Sequence, residues 1–138
     1  MTQPTGQPSP ILDVRVTRNG EVAVVSVSGE LDLDTVPEVR AALGSALSGP
    51  ASSALVVDLT DVVFFSSAGL SLLLEFRRRV DAFAVVATRR AVLRPIQVTS
   101  VAPLLNVVPS LDDALASVRP RADRAVAAAA PEPPHPPA

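Results

Sequence analysis

Cysteine is absent from the 138 residues, which excludes disulfides, thiolate metal sites, iron–sulfur clusters and a cysteine nucleophile. Lysine is absent too: all twelve basic residues are arginine. That excludes the lysine of a phosphate-binding loop and a Schiff-base lysine. The single histidine, His135, lies in a proline-rich end, so a His-dependent triad or a multi-histidine metal site has no material. Aromatics amount to 3%, four Phe with no Trp or Tyr, so any core must be aliphatic. Formal charge is −2, which argues against non-specific nucleic-acid binding through a basic surface. No apolar run approaches the ~20 residues of a membrane span, and residues 1–10 (MTQPTGQPSP) offer no basic, apolar export signal. A soluble, cytoplasmic protein is expected, with no nucleic-acid or membrane partner and no cofactor.

What is present is apolar aliphatic sequence. Hydrophobic residues make up 48% and charged residues 19%, too apolar for a disordered chain. Proline marks the ends: eight of the fourteen lie in residues 1–10 and 131–138. Residues 1–10 and the Ala/Pro-rich stretch 119–138 are therefore expected to be disordered tails around one domain at 11–118. Charge within that domain is uneven. From Ile11 to Asp61 there are three Arg against eight acids, and from Val62 to Ser100 six Arg against two acids. An acidic face able to meet a basic partner follows.

Periodicity supplies the elements. Residues 11–17 (ILDVRVT) alternate as a half-buried strand. Asn19-Gly20 is a hairpin signal, and residues 21–28 (EVAVVSVS) return. Gly29-Glu30-Leu31-Asp32 then leaves the sheet, and Thr35-Val36-Pro37-Glu38 has capping-box spacing before a helix with Val36, Val39, Leu43 and Leu47 on one face. Residues 54–59 (ALVVDL) and 83–87 (FAVVA) read as buried, parallel-type strands. Asp58 and Asp61 read as a strand end and turn. A helix follows from Leu70, a second spans Leu93 to Pro103 with Pro95 in its first turn, and Leu105 to Val108 is a short strand. Ser110 caps a last helix with Leu111, Leu115 and Val118 inward. The order ββαβαβαβα argues for an α/β fold, one mixed sheet with helices packed on it.

One segment carries chemistry. Ser66-Ser67-Ala68-Gly69 stands where Val62-Val63-Phe64-Phe65 turns into a helix. Either serine could simply cap the helix, its oxygen accepting a free backbone N–H. A nucleophile elbow needs a glycine where Phe65 stands, and a histidine the domain lacks. A phosphoacceptor is the third reading: phosphate adds about −1.5 to −2 charge, which a helix N-terminus tolerates. Arg77-Arg78-Arg79 reads as a solvated helix face, because a phosphate or nucleic-acid patch needs more basic residues and aromatics. Leu70, Leu73 and Leu74 read as core, with Leu70 and Leu72 also candidates for an apolar partner patch.

The stretch Asp58-Leu-Thr-Asp-Val-Val-Phe-Phe-Ser-Ser-Ala-Gly-Leu70 resembles the signature of STAS domains, specifically bacterial anti-sigma factor antagonists. Residues 29–40, GELDLDTVPEVR, resemble the family's second motif before the first helix. The resemblance spans Ile11 to Val118 and neither tail. It implies a STAS-like mixed sheet and a binding protein rather than an enzyme. The implied partner is an anti-sigma factor, a serine kinase of the GHKL type, whose capture frees a sigma factor for transcription. The kinase phosphorylates a serine at the start of the second helix and a serine phosphatase restores it. Aligning Gly69 and Leu70 to the family pattern D-S-S-G-L implies Ser67 as acceptor. Ser66 then stands where the family has Asp, and Ala68 where it has the second Ser. The implied partner surface comprises Asp32, Ser66, Ser67, Ala68, Gly69 and Leu70. The loss of an acid at Ser66 leaves a second function class open: a STAS-type sensor or scaffold module that binds a small ligand or nucleotide within a signalling complex.

Overall fold

The structure, a computed structural model, describes residues 11–48 and 53–118. The expected tails at 1–10 and 119–138, and the Gly49-Pro50 helix stop, lie outside the described residues. Strands β1 (Leu12–Asn19) and β2 (Val22–Leu31) form an antiparallel hairpin. Its loop is Gly20-Glu21, one residue later than the Asn-Gly signal suggests. Gly20 has φ +65°, and the first position of a two-residue II′ loop is the one reserved for glycine.

β3 (Ala54–Phe65), β4 (Ala82–Val86) and β5 (Val107–Val108) extend the sheet in parallel, in the spatial order β1-β2-β3-β4-β5. Period two sorts their side chains. Ala23, Val25, Val27, Leu55, Val57, Leu59 and Val85 face one side. There they pack against α1 (Val36–Ala46), α2 (Ser67–Arg77), α3 (Arg90–Val98) and the single turn α4 (Ala102–Leu105). Val22, Val24, Ala54, Val56, Ala84 and Val86 face the other side, under Ala114 and Val118 of α5 (Leu111–Ser117) and the residue after it. Both faces of β3 are thus dry over its first half, which explains its unbroken apolar run.

Several sequence expectations are corrected. The helix expected over Leu93–Pro103 is two, α3 and α4, so the order is ββαβαβααβα. Ser100 between them adopts φ +61°, and Pro95 sits inside α3 rather than in its first turn. Proline has no N–H to donate, and only one helical bond is lost. Thr35 forms no capping box. Its Oγ1 donates to the Glu30 carbonyl at 2.8 Å and accepts the Asp32 N–H at 2.9 Å, so the hydroxyl is spent on the β2–α1 turn. In α5, Ala114 and Val118 face the sheet, Leu115 is half-buried and Leu111 stays exposed.

The largest correction concerns β3, which runs to Phe65 rather than stopping near Leu59. Asp58 and Asp61 do not end it. Asp58 Oδ1 accepts the Thr60 N–H and hydroxyl, absorbing a bulge within the strand. Pairing with β2 shifts between Ser26 and Ser28, and again between Gly29 and Glu30. Gly29 reaches φ +101°, and a Cβ there would lie 2.2 Å from the Ile11 carbonyl oxygen. Gly29→Ala is expected to cost about 1–3 kcal/mol, lowering Tm by roughly 4–8 °C per kcal/mol in a domain of this size. Gly44→Ala, in α1 with open space around it, should instead raise Tm slightly, because alanine favours the helix by about 0.5–1 kcal/mol. Thermal melts of the two variants check both signs.

Candidate functional site

The site is assembled where β2 and β3 end together. Leu31 pairs with Phe65, and the Ser66 N–H donates to the Leu31 carbonyl at 3.0 Å. Ser66 is extended (φ −103°, ψ 176°), and its Oγ accepts the Ala68 N–H at 3.2 Å. Its carbonyl accepts the Leu70 N–H at 3.1 Å, opening the helix. One residue therefore closes the sheet and caps α2. Serine and aspartate cap about equally well, so Ser66 provides the cap without the charge an Asp would bring.

Ser67 is the first residue of α2, and it is exposed while Ser66 is half-buried. The two hydroxyls are thus separated by role: one is tied to the backbone, the other stands at the positive end of an eleven-residue helix. Ala68 is half-buried against the core. Gly69 and Leu70 point inward. A Cβ on Gly69 would lie 2.8 Å from Leu31 Cγ and 3.0 Å from Phe65 Cε1, so only glycine lets α2 settle onto the strand ends. Leu70 and Leu72 both belong to the core, with Leu73 and Phe76; Leu74 is half-buried against it. The structure thus brings Asp32, Ser66, Ser67 and Ala68 to the surface of one rim, and places Gly69 and Leu70 beneath it.

Asp32 follows Leu31 and is half-buried. Its Oδ1 accepts the N–H groups of Asp34 (2.9 Å) and Thr35 (3.1 Å), so the carboxylate braces the turn into α1. Glu30, Asp34 and Glu38 around it are exposed, and no basic residue stands between Arg18 and Arg40. This is the acidic face that the charge distribution implies. Arg77, Arg78 and Arg79 lie at the opposite end of α2. Arg77 Nε donates to the Leu104 carbonyl at 2.7 Å, and the Arg79 guanidinium lies 4.4 Å from the centre of the Phe76 ring.

Sequence reading missed three exposed apolar side chains on the same rim: Leu33 in the Asp32 turn, and Val63 and Phe64 just before Ser66. Val63 and Phe64 fall beyond the apolar run 54–59, and the register shift that turns both outward is invisible in the residue pattern. Leu33, an apolar residue between two aspartates, was the available signal.

The chain is similar to known proteins over most of its length. The STAS domain family matches residues 13–114. An anti-sigma-F factor antagonist, RsfB, of Mycobacterium tuberculosis is 34% identical over 111 residues, covering 78% of this chain and 90% of that protein. The crystal structure of an anti-sigma factor antagonist from Mycobacterium paratuberculosis is similar at 37% identity and TM-score 0.73, covering 83% of this chain and all of that one. A STAS-domain antagonist structure from Planctomyces limnophilus shares the fold at 23% identity and TM-score 0.64, over 75% of this chain and 94% of its own.

Geometry separates the two serines in stability. Ser66→Ala should cost about 0.5–2 kcal/mol through the lost cap, whereas Ser67→Ala, at an exposed position, should stay within about 0.5 kcal/mol of the parent. Gly69→Ala should cost about 1–3 kcal/mol by overpacking, since Leu31 is fully buried and cannot yield. Denaturant melts of the three variants measure these differences.

Proposed function

The chain belongs to the STAS domain family, and on that premise we propose that it is an anti-sigma factor antagonist switched by phosphorylation of Ser67. Unphosphorylated, the rim formed by the Asp32 turn and the start of α2 docks an anti-sigma factor and so releases a sigma factor for transcription. The anti-sigma factor is a serine kinase of the GHKL type, which transfers the γ-phosphoryl of ATP to Ser67 Oγ; a serine phosphatase reverses the step. The work is cytoplasmic, because that is where sigma factors act.

The observation that carries this reading is the exposed Ser67 hydroxyl beside a Ser66 already committed as cap. A phosphate there adds about −1.5 to −2 charge. The helix dipole favours it by typically ~0.3–1 kcal/mol, so the fold survives. A partner that docks must strip water from the dianion among Glu30, Asp32 and Asp34, and desolvating an uncompensated charge opposes binding strongly. The modification thus changes the surface and leaves the scaffold intact. The sensor or scaffold alternative draws no support from relatives described as antagonists.

The test is direct binding, by calorimetry, of the purified chain to each anti-sigma factor of its source organism. Ser67→Asp and Ser67→Glu should weaken the wild-type interaction at least about tenfold, ~1.4 kcal/mol, with melting unchanged. Ser67→Ala should bind like the parent yet take up no phosphate from the kinase and ATP, as read by mass spectrometry. A wild-type chain that engages none of these anti-sigma factors would refute the proposal.

A further inference from the structure

Four phenylalanines are the chain's whole aromatic complement. Phe65, Phe76 and Phe83 are buried, but Phe64 leaves 50% of its surface in water. Its neighbour Val63 is 55% exposed and Leu33 is 76% exposed. Two consecutive exposed residues break the alternation of a strand, and the cause is visible in the pairing. Gly29 pairs with Val62 but Glu30 pairs with Phe64, so Val63 is the extra residue of a bulge. Bulges re-aim side chains and gather next to functional sites. This one turns Val63 and Phe64 outward two residues before the Ser66 cap. Leu33 stands on the turn that follows Leu31, the partner of Phe65.

From this placement we infer that Phe64, three residues before Ser67, and Leu33, on the turn beside the end of β3, are the apolar anchors of the surface that grips the anti-sigma factor, whose matching face is an apolar patch edged with basic side chains. This rests on the antagonist function proposed above and names its contacts. Charge indicates the occupant. The patch is bordered by Glu30, Asp32 and Asp34, and no basic residue lies between Arg18 and Arg40. A second copy meeting it face to face would set acids against acids, whereas a basic-edged partner gains on both counts. Interfaces of this kind draw most of their affinity from a few aromatic or apolar anchors inside a polar rim. A phosphate on Ser67 would then add its charge to the border of the apolar centre.

The anti-sigma factor bound by the wild-type chain serves as probe, in calorimetry at two salt concentrations. Phe64→Thr, which replaces one strand-favouring residue by another, should weaken binding by about tenfold or more. Leu33→Ser lies in an exposed turn where folding is insensitive, and it should weaken binding severalfold. Glu30→Lys should weaken it too and flatten the salt dependence. Val98→Ser, 72% exposed at the far end of α3, should bind as the parent. If Phe64→Thr and Leu33→Ser bind as the parent while Ser67→Asp does not, the anchors are refuted and the antagonist reading stands. If the wild-type chain binds no anti-sigma factor, both fall. Sedimentation gives the remaining outcome: a dimer of the free chain that Phe64→Thr dissociates would assign the patch to a second copy and overturn the inference.

Discussion

The bond from the Ser66 N–H to the Leu31 carbonyl organises the rest of the molecule's working end. It is the last link between two parallel strands and the first residue outside α2. Because Ser66 also caps that helix, the sheet and the helix are joined within a single residue. Gly69 then brings the first turn of α2 against the Leu31 side chain. The Asp32 turn begins at the very next residue, held by the Asp32 carboxylate and the Thr35 hydroxyl. The rim therefore exists before any partner arrives, and little ordering entropy remains to be lost on docking.

That rigidity suits a charge-operated switch. The scaffold beneath Ser67 is a dry aliphatic layer in which Leu31, Leu72, Leu73 and Phe76 are essentially inaccessible to water. A phosphate on an exposed N-terminal helix residue touches none of it. Under the proposed switch the change would be confined to electrostatics at a surface that already carries a run of acids, so that affinity would move while the scaffold stays as it is. Several arginines of the described residues are engaged in contacts of their own. Arg89 donates to the Thr60 carbonyl at 2.9 Å, Arg40 pairs with Glu75 at 2.6 Å, and Arg77 reaches α4. These contacts join elements to one another.

Much of this was legible residue by residue. Alternation in 11–28, the apolar runs at 54–59 and 83–87 and the Ser110 cap each report a local preference that the fold respects. Ser110 Oγ accepts the Asp113 N–H at 3.1 Å. The two motifs around Asp32 and Ser67 pointed to the correct family. Illegible were features set by pairing between distant segments. The Thr35 hydroxyl had a capping-box partner in sequence, yet it bonds to the Glu30 carbonyl of the preceding strand. Asp58 looked like a turn former, and it makes its turn-like bond to Thr60 inside a strand that continues.

The amino-acid order alone determined the alternation of strands and helices and that the core is aliphatic. It also determined that a serine–serine pair opens the second long helix, because these follow from side-chain period, volume and local hydrogen bonding. Only the tertiary structure decided which serine is tied and which is open. It also decided that Gly69 and Leu70 lie below the rim, and that Val63 and Phe64 turn outward. Those outcomes depend on the register between β2 and β3, and register is a property of two strands that neither encodes by itself.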